Sequence, residues 1–200
     1  MEIIRGKHAP HIDASTLAQL LAGYDYVHID IGTGDGRFVR HVAQICPKHF
    51  VIGVDACREN LRAISRRSPP NALYVIANAQ SLPCELHGLA SHITINFPWG
   101  SLLEGLLTDE SALVAGLAAI ARLNAKIEIR LNGGALAEAS WSLEEGGERV
   151  RPVLRTVGFN VRAPIVLDAH DLRACPTTWA KRLAFRRDPR ALYLRGVKKT

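Results

Sequence analysis

The residues best suited to chemistry in this 200-residue chain fall in one run, Asp30-Ile31-Gly32-Thr33-Gly34-Asp35-Gly36. Glycine at every second position lets the backbone turn tightly and lets a ligand lie against main-chain N–H groups where a helix begins. The spacing sorts the ligands. A dinucleotide fingerprint needs glycine three positions after Gly34, where Arg37 stands, and a phosphate-binding loop needs a Gly-Lys-Ser/Thr ending that is absent. What remains is a turn with a carboxylate, Asp30, two positions ahead of Gly32, which suits a cationic ligand group better than a phosphate. A tight strand-to-helix turn with no ligand is the plain alternative for the glycines alone.

Asp55 stands 19 positions after Gly36, close to the ~20-residue offset at which an acidic side chain takes a ribose diol. Asn78-Ala79-Gln80 follows the next apolar run and places amide groups where an adenine edge can meet them. This set resembles the first motifs of the Rossmann-like class I methyltransferases, whose ligand S-adenosylmethionine carries a cationic amino group and a sulfonium.

Aromatic residues define a second candidate region. In such a fold the end of the fourth strand, Asn96-Phe97-Pro98-Trp99-Gly100-Ser101-Leu102-Leu103, faces the methyl group, so Trp99 can floor an acceptor pocket. Trp179, in Thr177-Thr178-Trp179-Ala180-Lys181-Arg182, offers a second indole. Two indoles can sandwich a flat acceptor, and stacking is worth about 1–3 kcal/mol per base, comparable to extruding a base from a helix. A core role is the alternative for each, and it is the one assigned to Trp141.

Charge points to a polyanion. Basic residues number 25 against 19 acidic, a net charge of +6. From Lys181 onward eight basic residues face Asp188 alone. Arg58, Arg62 and Arg66 are spaced by four, with Arg67 beside them, and Arg186, Arg187 and Arg190 form a second cluster. A solvated helix face is the alternative for the first group.

These residues need elements to hold them. Val27 to Asp30, Phe50 to Asp55, Leu73 to Ala77, Ile93 to Phe97, Lys126 to Leu131, Asn160 to Leu167 and Ala191 to Val197 read as seven strands. Helices are expected over Arg37 to Ile45, Arg58 to Arg67, Glu110 to Leu123 and Thr178 to Phe185, with another from Ser15 to Ala22 capped by Asp13 or Ser15. The fold class is therefore α/β, a mostly parallel seven-stranded sheet with helices on both faces and an antiparallel last strand after the Arg186-Arg187-Asp188-Pro189 turn. Residues 1–24 form an arm and helix, with a small hairpin over Glu2 to Lys7, and 25–200 the core of one domain.

No apolar run approaches the ~18 residues of a membrane span, and the N-terminus lacks the apolar core of a signal peptide, so a cytoplasmic protein is expected. Cys46, Cys57, Cys84 and Cys175 form no CxxC pair and have no histidine at finger spacing, so no metal site is expected and the thiols read as reduced and mostly buried.

VHIDIGTGDGR (Val27 to Arg37), FPWGSLLEG (Phe97 to Gly105) and TTWAKRLAF (Thr177 to Phe185) together resemble the aminoglycoside-resistance methyltransferases of the Kam and Npm types, which methylate N1 of adenine 1408 in 16S rRNA. The resemblance implies S-adenosylmethionine as cofactor, held by Asp30, Gly32, Thr33, Gly34, Asp55, Ala56, Asn78, Ala79, Gln80, Phe97, Trp99, Ser101 and Thr177. It implies that Trp99 and Trp179 hold a flipped adenine, with no general base, and that the arginine clusters grip rRNA backbone on a 30S subunit. A monomer is expected. The same fold acting on another RNA base, a non-catalytic RNA-binding relative and a small-molecule methyltransferase are the competing readings.

Overall fold

A computed structural model describes residues 1–109, 111–185 and 189–199. Its centre is one mixed sheet built from β1 (Tyr26–Ile31), β2 (His49–Asp55), β3 (Ala72–Ile76), β4 (Ala90–Asn96), β5 (Ala121–Asn132), β6 (Phe159–Val161), β7 (Ile165–Leu167) and β8 (Ala191–Lys198). Their spatial order is β3-β2-β1-β4-β5-β8-β6, with β7 also on β8. The first five strands are parallel, and β8 runs antiparallel between β5 and the β6/β7 edge.

The strands are continuous apolar runs because helices cover both faces. On one face Ile29, Ile31, Ile52, Val54 and Ile95 pack with leucines of α1 (Ala14–Leu21), α4 (Gly100–Thr108), α5 (Ser111–Ile120) and α7 (Leu143–Thr156). On the other, Val51 and Tyr74 meet Phe38, Val39 and Val42 of α2 (Arg37–Ile45) and Leu61 of α3 (Arg58–Arg62). Each fully buried Ile or Leu contributes about 1.5–3 kcal/mol. The chain leaves β1 toward β2 and β3, then returns to β4 on the opposite side, so strand order reverses between β1 and β4. A ligand crevice belongs beyond the carboxyl ends of those two strands.

Eight strands form where seven are expected, because the run Asn160 to Leu167 is cut in two. β6 pairs Asn160 with Val197 and β7 pairs Ile165 with Tyr193, one residue out of step along the same edge of β8. Pro164 lies in the break and has no N–H to offer the ladder.

The helix expected over Arg58 to Arg67 is also divided. α3 ends at Arg62, and Ile64–Arg67 tightens into a 3-10 turn. Ser65 Oγ donates to the Arg62 carbonyl over 3.2 Å and accepts the Gly6 N–H over 2.9 Å, tying the turn to the N-terminal arm. Arg58 and Arg62 therefore share a helical face, whereas Arg66 and Arg67 leave it; all four are exposed.

The helix expected over Glu110 to Leu123 is α5, which stops at Ile120 where the chain enters β5 opposite Ala90; Glu110 lies outside the described residues. The four cysteines are free thiols, but only Cys175 is buried; Cys57 and Cys84 sit exposed where short helical turns begin.

The arm does close a hairpin, pairing Glu2 with His11 and Arg5 with His8. Ile4 N–H donates to Tyr74 and Ile76 N–H to Glu2, each over 3.0 Å, so the hairpin lies along β3 and buries Ile3 and Ile4. Asp13 caps α1 by accepting the Thr16 N–H over 2.7 Å. No helix among the described residues is long and apolar enough to cross a membrane.

Candidate functional site

The glycine run leaves the end of β1 and crosses onto β2, with the Gly32 and Thr33 N–H groups donating to the Val54 carbonyl over 2.8 and 3.0 Å. Gly32, Gly34 and Gly36 all take positive φ. Two of them are also crowded. A Cβ on Gly32 would lie 2.5 Å from Leu102 Cδ2, and one on Gly36 2.6 Å from Tyr74 Cε1. Gly34 differs, since nothing stands within 4 Å of its would-be Cβ. Its N–H donates over 2.7 Å to Asp55 Oδ2, while Asp55 Oδ1 accepts the Cys57 N–H over 2.8 Å. The backbone thus fixes the Asp55 carboxylate at the loop's edge.

Asp30, fully buried at the end of β1, is the focus of a polar relay. Thr94 Oγ1 donates to Asp30 Oδ1 over 2.5 Å, and Asn96 Nδ2 donates to the same oxygen over 2.9 Å. Arg130 donates to Asn96 Oδ1 over 2.9 Å and pairs with Glu128 over 3.2 Å. Burial pushes the Asp30 carboxyl up to about 6, with the Thr33 hydroxyl and the bonds from Thr94 and Asn96 acting the other way. Burial raises Glu128 as well, but His92 and Arg130 outweigh it and hold that carboxyl at about 2.

His28 lies behind this relay. Burial, reinforced by the stacked His92 ring 4.4 Å away, lowers it to about 3. Thr94 spends its proton on Asp30, so the neutral His28 donates from Nε2 to Thr94 Oγ1, 3.0 Å away.

Beyond β4 the chain turns sharply. Phe97 has φ 55°, a left-handed conformation that costs a bulky residue on the order of 1–3 kcal/mol. It persists because the Phe97 N–H donates to Arg130 O over 2.7 Å and the ring is buried against α8 (Ala169–Ala174) and α9 (Thr178–Ala184). The turn directs Trp99 outward, and α9 brings Trp179 to it. The indole centroids are 5.6 Å apart with planes tilted by 34°. Thr177 caps α9 by accepting the Ala180 N–H over 2.9 Å. Thr178 Oγ1 donates to Asp35 Oδ2 over 2.7 Å, clasping α9 to the glycine loop.

These parts enclose one cavity of about 600 Å³. Asp30, Gly32, Thr33, Gly34, Asp55, Ala56, Asn78, Ala79, Phe97, Trp99, Ser101 and Thr177 all border it, as does Trp179. Gln80 does not border it; its backbone N–H turns back to Asn78 Oδ1 over 2.9 Å. Sequence reasoning missed Asn60, Thr178 and Arg182, which also border the cavity; the Arg182 guanidinium lies 5.6 Å from the Trp179 ring centre. It missed Arg130 too, a second-strand neighbour with no motif of its own.

Of the basic groups, Arg58, Arg62, Arg66, Arg67 and Arg190 are exposed, while Arg186 and Arg187 lie outside the described residues. Chain comparisons bear on the whole arrangement. The family profile NpmA, described as 16S rRNA (adenine(1408)-N(1))-methyltransferase, matches residues 2–198. A curated 16S rRNA (adenine(1408)-N(1))-methyltransferase from Escherichia coli is 32% identical over 208 aligned positions, covering 94% of each chain. The crystal structure of the 16S rRNA methyltransferase KamB is similar with a TM-score of 0.88 at 29% identity, covering 100% of both chains. A point mutant of the 16S rRNA (adenine(1408)-N(1))-methyltransferase from Catenulisporales acidiphilia, crystallised with cosubstrate SAM, gives 0.88 at 25% identity over 100% of this chain and 97% of that one. The match spans residues 2–198, a stretch that contains the glycine loop and both tryptophan segments, and it shows that this chain belongs to the 16S rRNA (adenine(1408)-N(1))-methyltransferase family.

Proposed function

We propose that this chain transfers a methyl group from S-adenosylmethionine to N1 of adenine 1408 in 16S rRNA, on the helix 44 region of the 30S subunit. It acts there as a monomer and thereby confers aminoglycoside resistance. One observation carries the reading: a single cavity joins an acidic glycine loop to a pair of facing indoles.

The acidic end fits S-adenosylmethionine. The bonds that Asp30 accepts from Thr94 and Asn96 both fall on Oδ1, so Oδ2, with the Thr33 hydroxyl near the carboxyl, is the oxygen offered to a ligand ammonium. Asp55 faces the ribose hydroxyls, and the Asn78-Ala79 backbone the adenine edge. Gly32 and Gly34 let the ligand lie against the loop, and the buried Thr33 Oγ1, close enough to act on the Asp30 carboxyl but without a well-formed hydrogen bond among the described residues, is available to it. When bound, S-adenosylmethionine supplies an electrophilic methyl group on a cationic sulfur.

The other end serves the acceptor. Adenine N1 offers an in-plane lone pair, so no proton need leave before it attacks. The chain's residues agree with that requirement, since the histidine beside the site, His28, is neutral and committed to Thr94. Trp99 and Trp179 align the base, and their faces favour the positive charge it acquires. Their 5.6 Å separation is less than the ~7 Å that two stacking contacts of about 3.5 Å require, so the indoles must part to admit a base. Arg58, Arg62, Arg66, Arg67, Arg186, Arg187 and Arg190 contact phosphates and position the enzyme without reading sequence.

The test is a tritiated S-adenosylmethionine assay on purified 30S subunits, with primer extension to locate the modified base. A stop at adenine 1408 is expected. Label at another base, or none despite cofactor binding, overturns the assignment.

A further inference from the structure

The N-terminal hairpin and the turn before β3 enclose a second recess of about 640 Å³, which shares no lining residue with the first. Arg5, Lys7 and Arg66 line it, with His8 beside them. The 3-10 turn bearing Arg66 continues from α3, which carries Arg58 and Arg62. Cations usually meet carboxylates on a protein surface. Here the side chains of Arg5, Lys7, Arg62, Arg66 and Arg67 make no ion pair among the described residues, and Glu59, the acidic residue of α3, takes the Cys57 thiol instead.

The frame that gathers these charges is fixed. Burial of Ile3 and Ile4 anchors the hairpin, and Arg5 and His8 exchange backbone bonds of 2.9 and 3.1 Å around Gly6-Lys7. Gly6 N–H reaches Ser65 Oγ over 2.9 Å, and Arg58 Nη2 donates to the Lys7 carbonyl over 3.3 Å. A Cβ on Gly6, at φ +63°, would stand 3.1 Å from Arg66 Cγ, so the hairpin tip lies directly against that arginine. Like charges held together with no counter-charge repel, and the arrangement is relieved when an anion sits among them.

We propose that the hairpin tip, through Arg5, Lys7 and His8 with Arg66, is a backbone-phosphate site for the RNA substrate, separate from the cavity where methyl transfer occurs. The inference rests on the RNA reading above and adds the arm to it. The exposed charged side chains of the recess, Arg5, Lys7 and Arg66, are all cations, and its one phenol, Tyr74, is buried and bonded to Gly36 over 3.2 Å, so the contact fixes register and reads no base.

The test measures 30S binding as a function of salt for the full chain and for Arg5→Gln/Lys7→Gln. Each lost phosphate contact lowers the slope of log K against log salt by about 1, so the double variant should bind more weakly with a slope smaller by about 2. Its affinity for S-adenosylmethionine should match the parent. The charge-conserving pair Arg5→Lys/Lys7→Arg should restore the slope. An unchanged slope in the double variant, or a charge-conserving pair as weak as the neutral one, overturns the proposal. So does unchanged 30S binding coupled to lost binding of anionic vesicles, which would assign the recess to a membrane. If the double variant loses its thermal transition, Lys7→Gln alone carries the test with a slope change of about 1. Failure of the parent chain to bind or label 30S subunits would instead refute the RNA reading itself, a distinguishable result.

Discussion

Arg130 donates to Asn96 Oδ1 over 2.9 Å, and through that bond a residue on β5 decides how Asp30 on β1 is presented to the cavity. With its oxygen turned to the guanidinium, the Asn96 amide can offer only Nδ2 to Asp30. The guanidinium is itself held, by Glu128 at 3.2 Å and by the Tyr193 ring 4.9 Å away. The relay spans three adjacent strands, so sheet register rather than loop conformation orients the carboxylate.

Removing the arginine should therefore act at a distance. In Arg130→Met the Asn96 amide is free to flip and present its oxygen to Asp30. Hydrogen bonds to charged groups are worth about 1.5–3 kcal/mol, so cofactor affinity should fall by roughly ten- to a hundredfold. Isothermal titration checks this, with Arg130→Lys falling between parent and Met. Affinity equal to the parent's would mean Asn96 holds its orientation unaided.

Asp30 also predicts a pH dependence with opposite signs for folding and for binding. Its folded carboxyl titrates at about 6 against an ordinary 3.8, so between those values the folded chain holds more protons than the unfolded one. The stability of the ligand-free protein should decline as pH rises through that window. Binding a ligand ammonium needs the ionised carboxylate, so cofactor affinity should rise with pH and level off above about 6, changing about tenfold per unit below it. Titrations across this range, with Asp30→Asn expected to be weak and flat, decide the matter; a flat profile in the parent would remove Asp30 from the contact.

The indole pair separates acceptor from cofactor. Trp179→Ala deletes one stacking face and leaves the glycine loop untouched. Turnover on 30S subunits should drop by about a hundredfold, the upper part of the 1–3 kcal/mol expected for one stacked base, with cofactor affinity within about twofold of the parent. Trp179→Phe keeps a ring and should recover most of the activity. Retained turnover in the alanine variant would show that the base is held elsewhere.

The glycine loop, Asp55 and the two tryptophans were legible in the sequence because each sits at a strand end or helix start that local pattern identifies. The clasp between Asp35 and Thr178 was not, since 143 positions separate them and only the seating of α9 brings them together. Arg130 was hidden for a similar reason: its role exists only in the β4/β5 register. The stretch after β5, to which the sequence pattern assigns no element, contains α6 (Gly133–Glu138) and the start of α7. Gly146, Gly147 and Pro152 resemble helix breakers. The two glycines serve packing instead, because a Cβ would lie 2.4 Å from Leu136 Cδ2 and 2.6 Å from Leu192 Cδ1 respectively. The legible signal there was the capping box of Ser142 and Glu145, whose reciprocal bonds measure 3.2 and 3.1 Å.

Two glycines of one loop should fail in different ways. Both Gly34 and Gly36 take positive φ, so alanine carries backbone strain of about 1 kcal/mol or more at either. At Gly36 the methyl also meets Tyr74 Cε1 at 2.6 Å and Ile64 Cγ2 at 2.8 Å, inside the core that seats α2. Gly36→Ala should thus cost several kcal/mol in all, overpacking adding about 1–3 kcal/mol, and lower the thermal midpoint sharply. At Gly34 the methyl meets no protein atom and instead occupies the cavity face. Gly34→Ala should keep most of its stability while losing cofactor affinity, so thermal unfolding and titration together distinguish a glycine kept for packing from one kept for ligand approach. Equal loss of stability in both variants would refute the distinction, and undiminished cofactor affinity in Gly34→Ala would show that no ligand lies against that part of the loop.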